Sequence, residues 1–308
     1  MGQLVDGVWK TGWYEPDDKG AFQRPKTRFR NQPAVIEPGR YHLYVSYACP
    51  WAHRTLITRA LRGLGGAITV TAVDPKMGDD GWQFRSDEPD PIGGARFLRD
   101  VYVRADAHYT GRVTVPVLWD RVTHTIVNNE SREIMRMLDV AFEAIAERPL
   151  EPCLAPPELR AEIDGVLDAI YTPINNGVYR CGFAGSQEAY DQAVTELFDA
   201  LYHWEGVLGR QPYLCGSRMT EADIAMFTTL VRFDLVYYSH FKTNLRMLRE
   251  LPNLWRFTRR MYQHPGIRPT CRLDDIKVHY YWSQTTVNPS RIVPAGPDLE
   301  AALAEPVT

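Results

Sequence analysis

Cys49 is the residue of this chain best placed for chemistry, because it is followed by proline in the run Tyr47-Ala48-Cys49-Pro50-Trp51-Ala52. The residues before it suit a strand and those after it suit a helix, so Cys49 would stand at a helix start. The N–H groups and the positive dipole end of a helix stabilise an anion there. We therefore expect a thiol with a lowered pKa that reacts as a thiolate. A buried cysteine at a strand end is the alternative; the strand–Cys–Pro–helix order favours the nucleophile.

The residue three positions after Cys49 is Ala52, and it limits the thiol chemistry that is available. A cysteine at that position would resolve a mixed disulfide within the chain, as it does in dithiol enzymes. Because alanine cannot do this, the resolving thiol must come from solution. The sequence therefore indicates a small thiol such as glutathione.

Two further segments could bind such a thiol. Val115-Pro116 lies at the start of a predicted strand, and a cis-proline there would offer the Val115 backbone to the cysteinyl part of glutathione. An ordinary trans proline at a strand edge is the alternative. Glu130-Ser131 opens a predicted helix, where the N–H groups could receive the γ-glutamyl carboxylate and Glu130 could meet the ammonium. Plain helix capping is the alternative there.

The elements that would position these residues follow the order βαβαββα, which is the pattern of the thioredoxin fold. Strands are predicted over 41–47, 67–73, 113–119 and 123–127, and helices over 51–62, 97–104 and from 129–131 to about 146. The helix between the first two strands implies that they are parallel. Residues 74–95 form a long loop rich in glycine and proline, and long loops in compact domains are often functional.

The second half of the chain is helical by its apolar spacing, with helices predicted over 158–171, 186–208, 221–238 and 251–264. An α/β thioredoxin-like N-terminal domain followed by an all-α C-terminal domain is the glutathione transferase architecture. The predicted organisation is an N-terminal extension (1–40), a thioredoxin-like domain (41–148), a proline-rich linker (149–157), a helical domain (158–282) and a tail (283–308). We expect the end of the tail to be disordered.

Composition and charge limit the classes of function. The chain has 308 residues, a net charge of −3 and 5 cysteines. So small a net charge attracts neither nucleic acid nor an anionic membrane. The cysteines are far apart and form no C-x-x-C pair, which excludes a zinc ribbon and disfavours a disulfide scaffold. Because the sequence has no apolar leader or long apolar span, we expect a cytoplasmic, soluble protein. The small net charge adds the expectation of no nucleic-acid and no membrane partner.

Taken together, the motifs resemble the glutathionyl-hydroquinone reductases, the xi class of glutathione transferases. Cys-Pro-Trp-Ala at 49–52 is the most specific of them. The resemblance covers nearly the whole chain and also rests on the runs 40–46, 48–55, 111–120, 129–131, 175–179, 230–234 and 279–280. Omega-class relatives share the catalytic cysteine but lack this set of C-terminal tyrosine runs.

The resemblance implies roles for individual residues. Cys49 would be the nucleophile and Tyr179 the proton donor, while Tyr237 and Tyr280 would lie near the cysteine and lower its pKa. The residues expected to contact glutathione are Trp82, Arg112, Val113, Thr114, Val115, Glu130 and Ser131. Without the resemblance, the three tyrosines would be assigned to the core, since the chain has 16 of them.

The implied reaction reduces a glutathionyl-hydroquinone to the hydroquinone through a Cys49–glutathione mixed disulfide, which a second glutathione resolves. Glutathione is then a cosubstrate, no metal or nicotinamide is needed, and a homodimer is expected. One alternative is an omega-like transferase with thioltransferase or dehydroascorbate reductase activity; another is a non-enzymatic binding module of the same fold. The chain has 29 Arg against 6 Lys, as a high-GC coding bias would give. Some organisms with such genomes use thiols other than glutathione, so mycothiol is an alternative cosubstrate.

Overall fold

The computed structural model describes residues 2–307, which form two compact units. The first unit runs up to Trp13 and then from Arg24 to Pro152. The second comprises Tyr14–Gln23 and the chain from Cys153 onward. The boundary after Pro152 lies in the segment rich in proline.

The first unit has an α/β architecture. Its strands are β1 (Gly2–Val5), β2 (Val8–Thr11), β3 (Tyr41–Val45), β4 (Thr69–Ala72), β5 (Gly111–Arg112), β6 (Val117–Asp120) and β7 (Thr125–Asn128), and its helices are α1 (Pro50–Leu61), α2 (Leu98–Ala105) and α3 (Ser131–Arg136). From β3 onward the thioredoxin-like order is confirmed. The strand predicted over 113–119 begins only at Val117, because Pro116 has no N–H to donate to a neighbouring strand.

A four-stranded sheet in the order β4-β3-β6-β7 forms the centre of this unit. β3 and β4 are parallel, because α1 returns the chain to the same end of the sheet. β6 is antiparallel to both β3 and β7. Every residue of β3 is buried, as expected for a central strand that is covered on both faces. The carboxyl end of β3 therefore fixes the position at which α1 starts, and Cys49 lies at that position.

The N-terminal extension contains a hairpin that the sequence analysis does not predict. β1 and β2 are antiparallel, and they are joined by Asp6 and Gly7, which have positive φ angles of 48° and 73°. Asp-Gly is typical of such two-residue turns. β1 also pairs with β5, where Leu4 lies opposite Gly111. The hairpin is thus attached to the segment that precedes Val115.

The helix predicted to run to about residue 146 is interrupted. α3 ends at Arg136, and a π-helical turn (Met137–Ala141) and a 3-10 turn (Glu143–Ile145) follow it. Within the π turn, the buried Asp139 carboxylate lies 3.0 Å from Nε of the equally buried Arg62. A buried carboxylate is tolerated when it has such a partner. Apolar spacing does not reveal this change of helix type.

The second unit is all-α, as predicted. Its helices are α4 (Arg160–Ile170), α5 (Gly177–Gly182), α6 (Gln187–Leu208), α7 (Glu221–Leu230), α8 (Tyr238–His240), α9 (Pro252–Gln263), α10 (Leu273–Ser283) and α11 (Leu299–Ala304), with π-helical turns at Tyr171–Asn175 and Phe233–Tyr237. The predicted helices correspond to α4, α6, α7 and α9, although the one over 221–238 is interrupted after Leu230. Within residues 2–307, no helix is both long and apolar enough to cross a bilayer.

The expectation of disorder at the end of the tail is wrong for the residues described. α11 forms there, and Asp298 caps it by accepting a hydrogen bond from the Glu300 N–H at 3.2 Å. Leu299 and Leu303 are buried, because their spacing places both on one face of the helix. The Arg259 guanidinium also donates to the Glu305 carbonyl oxygen at 2.6 Å. The tail before α11 is rich in proline and serine, and this composition led to the expectation of disorder although a short apolar stripe follows.

Candidate active site

Cys49 occupies the N-cap of α1, after the short turn that follows the central strand β3. Its backbone is extended, with φ −79° and ψ 121°, and Pro50 follows at the first helical position, where its missing N–H costs nothing. The Cys49 side chain is partly exposed. The first turn of α1 contains no acidic side chain. The helix dipole therefore favours the thiolate form of an accessible thiol.

The backbone of Val115 lies beside the Cys49 sulfur. Sγ donates a hydrogen bond to the Val115 carbonyl oxygen at 3.7 Å. The Val115-Pro116 peptide bond is cis, so the cis form predicted from the sequence is confirmed. The thiol and the backbone expected to pair with a bound thiol peptide are thus brought together in the first unit.

Two guanidinium groups stack on Trp51, two positions after Cys49. The Cζ atoms of Arg54 and Arg24 lie 4.5 Å and 5.0 Å from the Trp51 ring centroid. Such cation–π contacts are typical of arginine, and Arg54 is buried. Positive charge close to the start of α1 adds to the preference for a thiolate. Sequence reasoning missed both arginines. Arg54 follows Trp51 by three positions in α1, and this spacing indicates that the two side chains are neighbours. No pattern in the sequence indicates the contact between Arg24 and Trp51.

Glu130 is the N-cap residue of α3. Its carboxylate accepts a hydrogen bond from the Arg132 N–H at 3.4 Å and another from the Thr27 hydroxyl at 3.2 Å. Ser131 is buried at the first helical position. Glu130 itself stays partly exposed. Capping and ligand binding are therefore compatible, because the carboxylate is held in place and is still accessible.

Trp82 is almost fully buried, with 6% of its surface exposed, and it belongs to the apolar core of the first unit. The preceding Gly81 has φ +80°, a conformation that favours glycine. The backbone oxygen of Trp82 accepts a hydrogen bond from the Leu98 N–H at 2.9 Å, which connects the long loop to α2. Only a small part of the indole is thus open to a ligand.

The same loop is attached to the central sheet through Asp90. One carboxylate oxygen of Asp90 accepts the Tyr44 hydroxyl at 2.8 Å and the Ile92 N–H at 3.0 Å. The other accepts the N–H groups of Gly93 and Ala95 at 3.1 Å and 2.9 Å. Burial raises the pKa of Asp90, but these donors outweigh it and the pKa is lower than usual. Asp90 is a positioning residue that the sequence analysis missed.

The Arg112 guanidinium binds the N-terminal hairpin segment. It donates to the carbonyl oxygens of Gly2 and Gly12, each at 3.2 Å, and of Trp13 at 2.7 Å. These contacts hold both ends of the hairpin against the segment that leads to Val115. The structure therefore gives the Arg112 side chain a positioning role within the first unit.

The three predicted tyrosines meet at their hydroxyl groups in the second unit. The Tyr280 oxygen lies 2.6 Å from that of Tyr179 and 2.9 Å from that of Tyr237. α5, a π-helical turn and α10 contribute one tyrosine each. Burial raises the pKa of Tyr280 well above its usual value, and the neighbouring tyrosines add to the effect. Tyr280 therefore remains a phenol at neutral pH and links the other two hydroxyls.

Aromatic rings that the sequence analysis did not single out surround this group of tyrosines. The Phe241 ring lies 5.4 Å from Tyr179 and 5.5 Å from Tyr280, measured between centroids. Phe183 packs on Phe241 at 5.0 Å, and Tyr14 stacks on Phe183 at 6.4 Å. Such edge and offset contacts are favourable. The phenols are thereby held in an aromatic environment.

Three cysteines of the second unit are poor nucleophiles. Burial raises the pKa of Cys181 and of Cys271 to about 12, and that of Cys215 to about 11. They remain thiols at neutral pH. Cys49 differs from them because it stands at the N-cap of a helix.

Comparison with known proteins identifies the class. Residues 48–141 match the glutathione S-transferase N-terminal domain family, and residues 187–260 match the C-terminal domain family. Together with the cysteine at the start of α1, this defines a glutathione transferase. The xi-class transferase of Natrialba magadii is 50% identical, with a TM-score of 0.93 over 100% of this chain and 97% of that one. The chain belongs to the xi class, the family of the glutathionyl-hydroquinone reductases.

Two curated relatives support this placement. Glutathionyl-hydroquinone reductase YqjG of Escherichia coli is 48% identical over 96% of this chain and 95% of that protein. Glutathionyl-hydroquinone reductase PcpF of Sphingobium chlorophenolicum is 48% identical over 96% of each. A glutathione-bound structure of YqjG superposes with a TM-score of 0.88 and covers 99% of this chain and 98% of that one.

Proposed function

We propose that this protein reduces glutathionyl-hydroquinones to hydroquinones with glutathione as the cosubstrate. The observation that carries the proposal is the Cys49 thiol at the N-cap of α1, 3.7 Å from the Val115 carbonyl oxygen. Ala52 provides no resolving thiol within α1, so an external thiol must complete the cycle. The 48% identity to two glutathionyl-hydroquinone reductases supports the choice of substrate.

The reaction has two halves. In the first, the Cys49 thiolate attacks the sulfur of the glutathionyl group, the bond between that sulfur and the ring carbon breaks, and the carbon keeps the electron pair. Tyr179 protonates that carbon, and the hydroquinone leaves. In the second half, the thiolate of a second glutathione attacks the Cys49–glutathione disulfide, so that oxidised glutathione leaves and the Cys49 thiolate is restored. The ring gains the two electrons that the two glutathione sulfurs lose.

Glutathione would lie along the segments already described. Arg112, Val113, Thr114 and Val115 would form the segment that contacts its cysteinyl part, and Val115 would offer its backbone N–H and carbonyl groups. The Arg112 guanidinium is bound to the hairpin and would hold that segment in place. Glu130 would meet the ammonium of the γ-glutamyl end, and the Ser131 end of α3 its carboxylate. Trp82 would offer the exposed edge of its indole.

The three tyrosines would supply the proton and stabilise the phenolate that remains. When Tyr179 gives up its proton, the Tyr280 hydroxyl 2.6 Å away can donate to the phenolate that forms. The Tyr237 hydroxyl is hydrogen-bonded to the Tyr280 hydroxyl at 2.9 Å and can donate to it in turn. We also propose that Tyr237 and Tyr280 help to lower the pKa of Cys49, that the protein is a homodimer, and that it acts in the cytoplasm, where glutathione is kept reduced.

The test is the release of hydroquinone from a synthetic glutathionyl-hydroquinone, with glutathione and mycothiol supplied in parallel. We expect turnover with glutathione and none with mycothiol. Reduction of a glutathione mixed disulfide is measured beside it, because several relatives are named omega-like glutathione S-transferases, among them one of Schizosaccharomyces pombe that is 44% identical. Activity on the mixed disulfide alone would contradict the proposal.

A further inference from the structure

Tyr102 lies between the two segments proposed to bind glutathione. It belongs to α2 and is fully buried. Its hydroxyl donates to the Thr114 carbonyl oxygen at 2.8 Å and accepts from the Thr114 N–H at 3.3 Å. The same oxygen accepts from the side-chain amide of Asn129 at 3.0 Å. One hydroxyl thus binds the residue before Val115 and the residue before Glu130.

The hydrogen-bonding capacity of this hydroxyl is fully used. A phenol has one proton to donate and two lone pairs that accept, and Thr114 and Asn129 occupy all three. The ring is also fixed, since it packs edge-on against Tyr109 and Phe29 at centroid distances of 5.0 Å and 5.9 Å. Neither the position nor the orientation of the hydroxyl is therefore adjustable.

Asn129 connects the Tyr102 hydroxyl to the start of α3. Its Oδ1 accepts the Phe29 N–H at 3.2 Å while its Nδ2 donates to Tyr102, so both ends of the amide have partners. The next residue, Glu130, receives the Thr27 hydroxyl at 3.2 Å. The segment that contains Thr27 and Phe29 and the hydroxyl of Tyr102 thus both hold this junction.

We propose that Tyr102 is a positioning residue for the cosubstrate: its hydroxyl sets the distance between the Thr114-Val115 backbone and the Asn129-Glu130 junction. This inference rests on the proposed function, in which these segments bind the cysteinyl and γ-glutamyl parts of one glutathione. A ligand that must contact both segments at once loses affinity when their separation varies. Removing the hydroxyl also takes the acceptor away from the part-buried Thr114 N–H and from the buried side-chain amide of Asn129.

The effect should fall on binding rather than on chemistry. Cys49 is placed by β3 and α1, and none of the hydrogen bonds of the Tyr102 hydroxyl involves either element. For Tyr102→Phe we expect the glutathione Kd and KM to rise about tenfold, which corresponds to about 1.4 kcal/mol. The kcat at saturating glutathione should change less than twofold.

The experiment combines calorimetric titration with glutathione and steady-state kinetics for the wild type, Tyr102→Phe, Asn129→Ala and the double variant. Tyr41→Phe is the matched control, because its buried hydroxyl donates to the Val35 carbonyl oxygen at 2.6 Å, away from both segments. We expect no change in glutathione Kd for the control. In the double variant the combined effect on the glutathione Kd should be smaller than the sum of the two single effects, because both substitutions remove the hydrogen bond between Asn129 and Tyr102.

Three results would overturn the inference: an unchanged glutathione Kd in Tyr102→Phe, an equal rise in Tyr41→Phe, or fully additive effects in the double variant. If Tyr102→Phe does not fold, Asn129→Ala leaves the ring in the core and tests the same bond. Glutathione titration needs no second substrate, so these outcomes are separate from failure of the proposed function. That failure would be a wild type that binds glutathione normally but releases no hydroquinone.

Discussion

Replacing Asp90 by Asn tests how the long loop is attached to the central sheet. Asp90 is 4% exposed, and its carboxylate accepts four hydrogen bonds, two on each oxygen. Asn keeps the shape but can accept on one oxygen only. The amide group is best placed toward Tyr44, whose hydroxyl can turn and accept from it. The Ile92 N–H, at 3.0 Å in the wild type, then faces another donor.

The cost can be worked out from these contacts. The substitution loses one hydrogen bond to a charged acceptor, leaves a buried donor without a partner and weakens the remaining bonds, which become neutral. We expect the free energy of unfolding to fall by about 2–4 kcal/mol. Because the pKa of Asp90 is lower in the folded protein than its usual value, the wild-type advantage is complete at neutral pH. It shrinks as the pH falls through the acidic range in which folded Asp90 becomes protonated.

Urea unfolding at pH 7 measures the stability loss, and glutathione titration measures the consequence for the site. Since the loop contains Trp82, we expect weaker glutathione binding in Asp90→Asn at temperatures where the variant is fully folded. Asp87→Asn is the control, because Asp87 lies in the same loop with a side chain that is 73% exposed; its stability and binding should hardly change. Equal stability of Asp90→Asn and the wild type at pH 7 would refute this account.

Three other predictions concern the tyrosines, the cosubstrate and a buried histidine. Tyr280→Phe should lower kcat about tenfold and leave the glutathione KM unchanged, because the Tyr179 phenolate loses its donor; an unchanged kcat would remove Tyr280 from the mechanism. Glu130→Gln should raise the glutathione KM about tenfold with little effect on kcat, since it removes the partner of the ammonium; steady-state kinetics over glutathione concentration decide this. Burial, with Arg121 nearby, lowers the pKa of His42 to about 4, so the unfolded chain takes up a proton at pH 5 that the folded chain does not. His42→Gln should therefore abolish about 2 kcal/mol of the stability that the wild type loses between pH 7 and pH 5; equal losses in both proteins, by urea unfolding, would contradict this.

The parts of the site that sequence could predict are local. Cys49 and Pro50 mark a strand end and a helix start within a few residues, so neighbouring sequence is sufficient to place the thiol. The cis bond at Val115-Pro116 was expected from the position of this proline in a thioredoxin-like order of elements, whereas the strand–proline pattern alone is equally compatible with a trans bond. The position of Glu130 at a helix start was predicted because helix starts have a recognisable composition.

The parts that sequence could not predict join distant residues. Asp90 meets Tyr44 across 46 positions and Asn129 meets Tyr102 across 27, and nothing local marks either pair. Arg24 reaches Trp51 from the N-terminal segment in the same way. The tyrosines were identified only by resemblance to a family, because a tyrosine in a core and a tyrosine in a site have the same helical spacing.

A single-turnover experiment tests the role of Cys49 most directly. The wild-type protein and Cys49→Ala are each mixed with a glutathionyl-hydroquinone in the absence of free glutathione, and hydroquinone release and intact protein mass are followed together. We predict that the wild type releases one hydroquinone per chain and gains one glutathione, which peptide mapping places on Cys49. Cys49→Ala should do neither. Release without a glutathione adduct, or equal release by Cys49→Ala, would contradict the proposed mechanism.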